Sequence, residues 1–181
     1  MCAASDRKKE GISFSVCSQK ELLSDDKFAD EMIDIIVDNL SYLFGDDMGS
    51  DENREEWKKH NLKTADQTWH TVFGRRKGKI AGFIIYTIKN RELMVNDFEI
   101  SKDHRLDPAL MIGLLKTMIW IEYDSFDKIR GYINKNNTES QANFLRYATD
   151  IIETEHGYRF IIDKEKTFAI KKRFKRIISK I

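Results

Sequence analysis

A series of apolar segments between residues 79 and 133 constrains the fold of this chain more than any other feature. Residues 79–86 and 93–100 each have the composition of a strand, and only a short polar stretch separates them. Residues 109–123 are apolar around much of a helical circumference, and residues 128–133 predict a further strand. A helix of this kind needs cover on several sides, so we expect it to be central and to pack across a sheet.

The rest of the chain gives periodic signals that complete the order of elements. Residues 12–17 alternate apolar and small polar side chains, which predicts a strand with one buried face. Apolar residues at spacings of three and four predict an amphipathic helix over residues 25–44, with Ser24 as its N-cap. The remaining predictions are a loop over 45–56 leading into a short helix near Trp57, a strand over 68–73 in a hairpin with 79–86, a helix over 140–153, and a closing hairpin of 160–162 with 167–170.

Length and composition favour one domain. The 181 residues, 41% of them hydrophobic, suffice for a sizeable core, and a chain with a single proline and no Ser/Gly-rich stretch offers no linker. We therefore predict one domain over residues 11–181 behind a disordered leader over residues 1–10. The 31 Lys and Arg nearly balance the 30 Asp and Glu, so the overall charge argues against nucleic acid as a partner.

Cysteine content and hydropathy predict a cytoplasmic protein. Cys2 and Cys17 are too few for a disulfide framework, and with so few sulfur and histidine ligands we expect no metal site. No apolar run approaches the length needed to cross a bilayer, and the charged N-terminus lacks the apolar segment of a signal peptide. We therefore expect neither a membrane span nor secretion.

Two motifs accompany the order of elements. Arg105 follows Ile100, at the end of a predicted strand, by five positions, and an asparagine-rich turn with Asn137 and Ser140 follows the next strand. In both motifs and in element order, the chain after residue 10 resembles the GCN5-related N-acetyltransferase (GNAT) superfamily. Its loop pattern is R/Q-x-x-G-x-G/A, whose two small positions fall here on Pro108 and Leu110. The resemblance implies a mixed α/β fold, in which helices flank a central, mostly antiparallel mixed sheet.

The resemblance also implies acetyl-CoA as co-substrate and places its binding residues. The pyrophosphate of acetyl-CoA and the adjoining part of the coenzyme would be bound by the strand end, the loop and the helix start. The residues concerned are Phe98, Ile100, Arg105, Leu106, Asp107, Ala109 and Leu110. Asn134, Asn137 and Ser140 would flank the acyl-pantetheine arm. Because family members bind pyrophosphate on backbone N–H groups, Pro108 removes one donor. The alternatives are a helix start without a ligand, and turn or N-cap roles for the asparagines.

Catalytic candidates follow from the same comparison. Asp97 and Glu99 lie on the strand that the family places beside the thioester, and alternate positions on a strand face the same way, so either carboxylate is a candidate base. The alternative is a polar, solvent-facing strand edge. The general-acid tyrosine of many family members falls on Phe144, whereas Tyr147, one turn further, is the candidate acid. Its alternative is a helix residue with a solvated hydroxyl.

Three hypotheses for function remain open. The first is an N-acetyltransferase in which a primary amine attacks the thioester of acetyl-CoA directly, with an acidic loop over residues 46–52 attracting a cationic acceptor. The alternative for residues 46–52 is an ordinary solvated loop, which such a run of charge usually indicates. The second is a catalytically inactive member of the same fold that serves as a binding or scaffold protein. The third is nucleic-acid or partner binding through the basic, amphipathic residues 171–181, whose alternative is packing on the same domain. A homodimer is compatible with each.

Overall fold

A computed structural model describes residues 3–9, 11–44, 50–64 and 69–167. Most of the acidic loop predicted over 46–52 therefore lies outside the described residues. The basic segment 171–181 and residues 168–170 of the predicted closing hairpin lie outside them as well.

The described residues form a mixed sheet, five α-helices and a further helical turn over residues 164–167. The strands are β1 (Ala3–Lys9), β2 (Ile12–Ser18), β3 (Trp69–Arg76), β4 (Lys79–Lys89), β5 (Glu92–Ile100), β6 (Lys128–Asn134), β7 (Asp150–Glu153) and β8 (Gly157–Asp163). The helices are α1 (Gln19–Leu23), α2 (Asp26–Phe44), α3 (Asp51–Thr64), α4 (Pro108–Ile121) and α5 (Thr138–Phe144). Short 3₁₀ turns cover Lys102–His104 and Leu145–Tyr147. No helix among the described residues is both long and apolar enough to span a bilayer.

The first of two compact units comprises Met1–Tyr86 and Asp97–Met118. Its strands are hydrogen-bonded in the order β1-β2-β3-β4-β5, and β2 runs antiparallel to both β1 and β3. Lys77 and Gly78 connect β3 to β4 with positive φ angles of 52° and 82°, as expected for a tight hairpin turn. A core of apolar side chains from β2, α1, α2, β3 and β4 fills this unit: Cys17, Leu22, Met32, Ile35, Ile36, Phe73, Ile80, Phe83 and Ile85.

The second unit comprises Thr87–Asn96 and Ile119–Ile181. Here the strand order is β5-β6-β8-β7, with β6 antiparallel to β8 and β8 antiparallel to β7. The parallel pairing of β5 with β6 runs from Glu92 opposite Lys128 to Met94 opposite Arg130. A parallel pair among antiparallel neighbours makes the sheet mixed, as the sequence predicts.

The C-terminal part of the predicted helix over 140–153 is wrong. Helix α5 ends at Phe144, and a 3₁₀ turn then leads into β7. Ile151 and Ile152 are β-branched, which favours a strand, and β7 pairs with β8 in the register Ile151 opposite Phe160. The predicted strand over 160–162 is confirmed inside β8, but its described hairpin partner is β7.

Helix starts in the first unit also differ from the prediction. Asp25, not Ser24, caps α2, because its Oδ1 accepts from the backbone N–H groups of Lys27 (3.1 Å) and Phe28 (3.4 Å). Ser24 is instead the C-cap of α1, a helix that the sequence analysis did not predict. Ser18 and Glu21 form a capping box at the start of α1, a pattern that is visible in the sequence.

Two further segments contain more regular structure than the sequence predicts. Helix α3 begins at Asp51, inside the predicted loop over 45–56, and Ser50 Oγ accepts from the Asn53 N–H at 3.2 Å. Asp51 and Glu52 in its first turn favour a helix N-terminus. At the other end, Ala3–Lys9 forms a strand where a disordered leader over 1–10 is predicted, whereas the single domain over 11–181 stays a prediction.

Candidate active site

Strand β5 carries Asp97 and Glu99 at alternate positions, and both carboxyl groups belong to the first unit. Neighbouring β4 approaches this end of β5 closely, since a Cβ atom on Gly82 would lie 2.9 Å from the Glu99 carbonyl oxygen. The Ser101 N–H donates to the Ala81 carbonyl at 2.9 Å and continues this contact past the strand end. The backbone that carries Glu99 is therefore fixed by its neighbour, which limits the positions open to the carboxyl group.

The two carboxyl groups titrate above their ordinary range. The pKa of Glu99 is raised to about 7, mainly by burial and in smaller part by the negative charge of Asp97, although a hydrogen bond from Asn39 and the charge of Arg105 act in the opposite direction. Burial also raises the pKa of Asp97. Because a carboxylate with a pKa near neutrality accepts a proton far more readily than an exposed one, Glu99 has the proton affinity of a general base.

Asn39, on helix α2, holds the Glu99 carboxylate. Its Nδ2 donates both to Glu99 Oε2 and to the carbonyl oxygen of Ile100, at 3.1 Å from the latter. Its Oδ1 accepts from Arg105 Nη2 at 2.6 Å. An arginine can only donate and a backbone carbonyl can only accept, so these two partners fix the orientation of the Asn39 amide. The N–H that this leaves for Glu99 favours the ionised carboxylate.

Arg105 faces helix α2. In addition to its bond with Asn39, its guanidinium group lies over the ring of Tyr42, 4.3 Å from the centroid. Tyr42 is 72% exposed, so this cation–π pair is at the surface. The resemblance assigns Arg105 to the pyrophosphate, whereas its contacts in the structure are with Tyr42 and with Asn39, the residue that holds Glu99. Its role toward a donor stays a prediction.

The start of α4, the predicted pyrophosphate site, is capped from within the chain. Asp107 Oδ1 accepts from the backbone N–H groups of Ala109 (3.0 Å) and Leu110 (3.3 Å), and Pro108 has no N–H to offer. Asp107 Oδ2 accepts from Arg76 Nη1 at 2.9 Å. The donors that a pyrophosphate would need are therefore bonded to a carboxylate, and this part of the site does not fit the coenzyme as it stands.

The other predicted donor-binding residues of the first unit differ in exposure. Leu110 is fully buried beside β3, where a Cβ on Gly74 would lie 2.6 Å from its Cδ1, which explains a large residue at this position. Leu106 is 91% exposed, and Phe98 and Ile100 are half-buried on β5. Phe98, Ile100, Leu106 and the half-buried Ala109 present apolar surface that a ligand could contact.

In the second unit, the asparagines form the turn between β6 and α5. Asn134 Oδ1 accepts from the Asn136 N–H at 2.8 Å, and Asn137 Oδ1 accepts from the Ser140 N–H at 3.0 Å. The turn and N-cap roles named as alternatives are thus confirmed for Asn134 and Asn137. Gln141 fixes the turn further, since its Nε2 donates to the carbonyls of Asn134 and Lys135. Binding of an acyl-pantetheine arm by these residues stays a prediction.

Tyr147 lies in the 3₁₀ turn after α5, and its hydroxyl is buried rather than solvated. Among the described residues the hydroxyl has no hydrogen-bond partner, and Arg146 lies 5.0 Å from its ring centroid. A buried hydroxyl without a partner is costly and is common where a ligand completes a site. Phe144, in contrast, stacks on Phe160 with ring centroids 6.2 Å apart and serves the apolar packing of this unit.

The sequence analysis did not single out Asn39, Tyr42 or Arg76. A signal existed for Asn39, because it stands three and four residues after Ile36 and Ile35, in the stripe by which α2 packs on the core. A polar residue in such a stripe needs a partner. Nothing in the sequence pattern indicates the partner of Arg76.

Comparisons with known proteins bear on the fold. No protein-family model and no curated protein matches the chain. Among solved structures, the PaiA N-acetyltransferase of Thermoplasma acidophilum in complex with coenzyme A matches 83% of this chain and 99% of its own, with 12% identity and a TM-score of 0.63. An acetyltransferase of the GNAT family from Staphylococcus aureus matches 83% of this chain and 99% of its own, with 12% identity and a TM-score of 0.60. The chain has the GNAT fold.

A third structure agrees. An acetyltransferase from Streptococcus agalactiae matches 86% of this chain and 99% of its own, with 11% identity and a TM-score of 0.63. The predicted architecture, a mixed sheet flanked by helices with the GNAT order of elements, is therefore confirmed. At identities this low the likeness establishes the GNAT fold and not the reaction, which depends on the residues of this chain.

Proposed function

We propose that this chain is an N-acyltransferase that moves an acyl group, with acetyl as the first candidate, from a thioester to a primary amine. The observation that carries the proposal is the half-buried Glu99, whose pKa is raised to about 7 and whose carboxylate is held by an amide of fixed orientation. An unprotonated base near neutral pH, inside a GNAT fold, is what transfer to an ammonium group requires. Acetyl-CoA is the donor with which we would begin.

In the proposed reaction, Glu99 takes a proton from the ammonium form of the acceptor. The neutral amine attacks the carbonyl carbon of the thioester, the new C–N bond forms, and the C–S bond breaks. The departing thiolate gains a proton, the nitrogen loses its second proton, and the proton on Glu99 passes to solvent. The products are an amide and a free thiol, so no covalent acyl-enzyme is needed.

Asp97 and Arg105 have different roles around Glu99. Asp97 raises the pKa of Glu99 through its negative charge and so increases the proton affinity of the base. Arg105 acts through Asn39, whose orientation it fixes, and is therefore a positioning residue in this proposal. The arrangement lets a positive charge support the carboxylate without forming a direct ion pair that would lower its basicity further.

Tyr147 is the proposed acid toward the thiolate. Support comes from its buried hydroxyl, which has no hydrogen-bond partner among the described residues. Without the Tyr147 hydroxyl, the departing thiolate must take its proton from solvent. Tyr147→Phe should therefore lower kcat more than it raises KM.

The test is release of free thiol from acetyl-CoA in the presence of a panel of primary amines, including polyamines and peptides with free N-termini. Glu99→Gln should lower kcat/KM by about 10²–10⁴ for an active amine, the usual loss when a general base is removed. Glu165→Gln is the matched control, since Glu165 is exposed outside the site. Equal activity of Glu99→Gln and the wild type would end the assignment of the base.

One observation favours a second candidate, a non-catalytic binding protein of the same fold. The backbone donors at the start of α4 are occupied by Asp107, which weakens the case for coenzyme binding there. Such a protein would show no thiol release with any amine.

A further inference from the structure

The N-terminus of α4 holds an anion that belongs to the chain itself. The free N–H groups of a helix start normally attract phosphates, because they combine hydrogen-bond donors with the positive end of the helix dipole. Here Ala109 and Leu110 give their N–H groups to Asp107, and Pro108 has none. The position of a phosphate is thus taken by a carboxylate.

Arg76 completes this internal anion site. Its Nη1 lies 2.9 Å from Asp107 Oδ2, and the exposed fractions of the two side chains are 34% for Arg76 and 17% for Asp107. Asp107 therefore has donors on both carboxylate oxygens. A pyrophosphate arriving at α4 must displace a carboxylate that is already satisfied, or place its own negative charges beside it.

Packing prevents α4 from moving away to make room. Leu110 is fully buried against Gly74, and Gly113 faces Phe14, whose ring atom Cζ would lie 2.0 Å from a Cβ at that glycine. These contacts tie the first two turns of α4 to β2 and β3. The distance between Arg76, at the end of β3, and Asp107 is therefore set by the fold of the first unit.

We propose that Asp107 is a built-in anion that excludes pyrophosphate from the start of α4. The acyl donor is then selected by its thioester and pantetheine arm, and the nucleotide end of coenzyme A contributes little. Acyl thioesters of pantetheine or phosphopantetheine, without a nucleotide, are the donor class that this arrangement fits. The donor part of this inference rests on the proposed function, whereas the exclusion of pyrophosphate does not.

The test compares Asp107→Ser with the wild type. Serine keeps an N-cap oxygen, so α4 should retain its start, but the negative charge is removed and Arg76 is released. Titration calorimetry uses inorganic pyrophosphate, acetyl-CoA and acetyl-pantetheine as ligands. Asp103→Ser, in the neighbouring 3₁₀ turn at an exposed position, is the matched control.

We expect the wild type to bind acetyl-CoA and acetyl-pantetheine with affinities within roughly threefold of each other. Asp107→Ser should bind pyrophosphate and acetyl-CoA about tenfold more tightly than the wild type, equivalent to about 1.4 kcal/mol, with no gain for acetyl-pantetheine. Adding Arg76→Ala should remove that gain. Circular dichroism melting shows whether each variant is folded.

Three results would overturn the inference. The first is a wild type that binds acetyl-CoA far more tightly than acetyl-pantetheine and loses this preference in Asp107→Ser. The second is equal binding of pyrophosphate by the wild type and Asp107→Ser, and the third is no pyrophosphate binding by either. A different result separates this inference from the proposed function. If Asp107→Ser binds pyrophosphate more tightly than the wild type but the thiol-release assay shows no turnover of any thioester, the exclusion of pyrophosphate by Asp107 is supported and the proposed acyl transfer is wrong.

Discussion

Glu99 at the end of β5 and Asp107 at the start of α4 are carboxylates in the same unit with opposite surroundings. Asp107 accepts from two backbone N–H groups and from an arginine that contacts it directly. Glu99 is half-buried beside a second carboxylate, and Arg105 is linked to it by hydrogen bonds only through Asn39. The negative charge of Asp107 is thus balanced by direct hydrogen-bond donors, whereas Glu99 has a pKa near 7.

The comparison shows how one unit separates a structural carboxylate from a reactive one. A directly paired acid stabilises a helix start. An acid that is buried next to a like charge costs stability in its ionised form, and that cost is the source of its basicity.

Removing the structural carboxylate should have the larger effect on stability. Asp107→Ala deletes an N-cap and leaves Arg76 without its partner, so the free energy of unfolding should fall by about 2–3 kcal/mol. Urea denaturation at pH 7 measures this loss. Asp103→Ala, an exposed neighbour, should change stability by less than about 0.5 kcal/mol. A similar loss in the free energy of unfolding for the two variants would show that Asp107 does not stabilise the protein more than an exposed acid does.

Removing the reactive carboxylate should stabilise the protein at high pH. The folded-state pKa of Glu99, about 7, lies above its ordinary value of 4.5. The folded chain therefore favours the protonated acid, and stability is lost as pH rises from the unfolded to the folded pKa. Glu99→Gln avoids this loss, so its stability relative to the wild type should increase by about 2 kcal/mol between pH 4.5 and pH 8.

Denaturant unfolding of both proteins at the two pH values measures the difference. Glu165→Gln serves as the control, because an exposed carboxylate should leave the pH dependence unchanged. A constant offset between Glu99→Gln and the wild type at both pH values would mean that Glu99 ionises normally in the folded state.

Much of the fold could be predicted from the sequence, because the central segments leave little choice. The apolar pattern of β4, β5 and α4 has one interpretation, and the structure confirms all three elements. The segment after Phe144 failed because Ile151 and Ile152 fit an apolar helix face as well as a strand. Pairing of β7 with β8 decides between them, and such pairing is a tertiary effect that local pattern does not contain.

The site divides in the same way. Asp97 and Glu99 could be found because alternation on a strand is visible in sequence. Asn39 could not be assigned to Glu99, since the two are sixty positions apart and meet only when α2 packs on β5. The cap by Asp107 could have been predicted from the sequence, because an acidic residue directly before a proline is typical of a helix start. The sequence pattern does not indicate that Arg76 forms an ion pair with Asp107.

The most direct test of the account is an NMR titration of the glutamate side-chain carboxyl carbons, with Glu99→Gln used to assign the signal. In the wild type, the account predicts one glutamate that titrates near pH 7, as the raised pKa of about 7 requires. In Asn39→Ala its pKa should rise further, because the hydrogen bond that favours the carboxylate is lost. A Glu99 signal that titrates in the ordinary range near 4.5, unchanged by Asn39→Ala, would contradict the account.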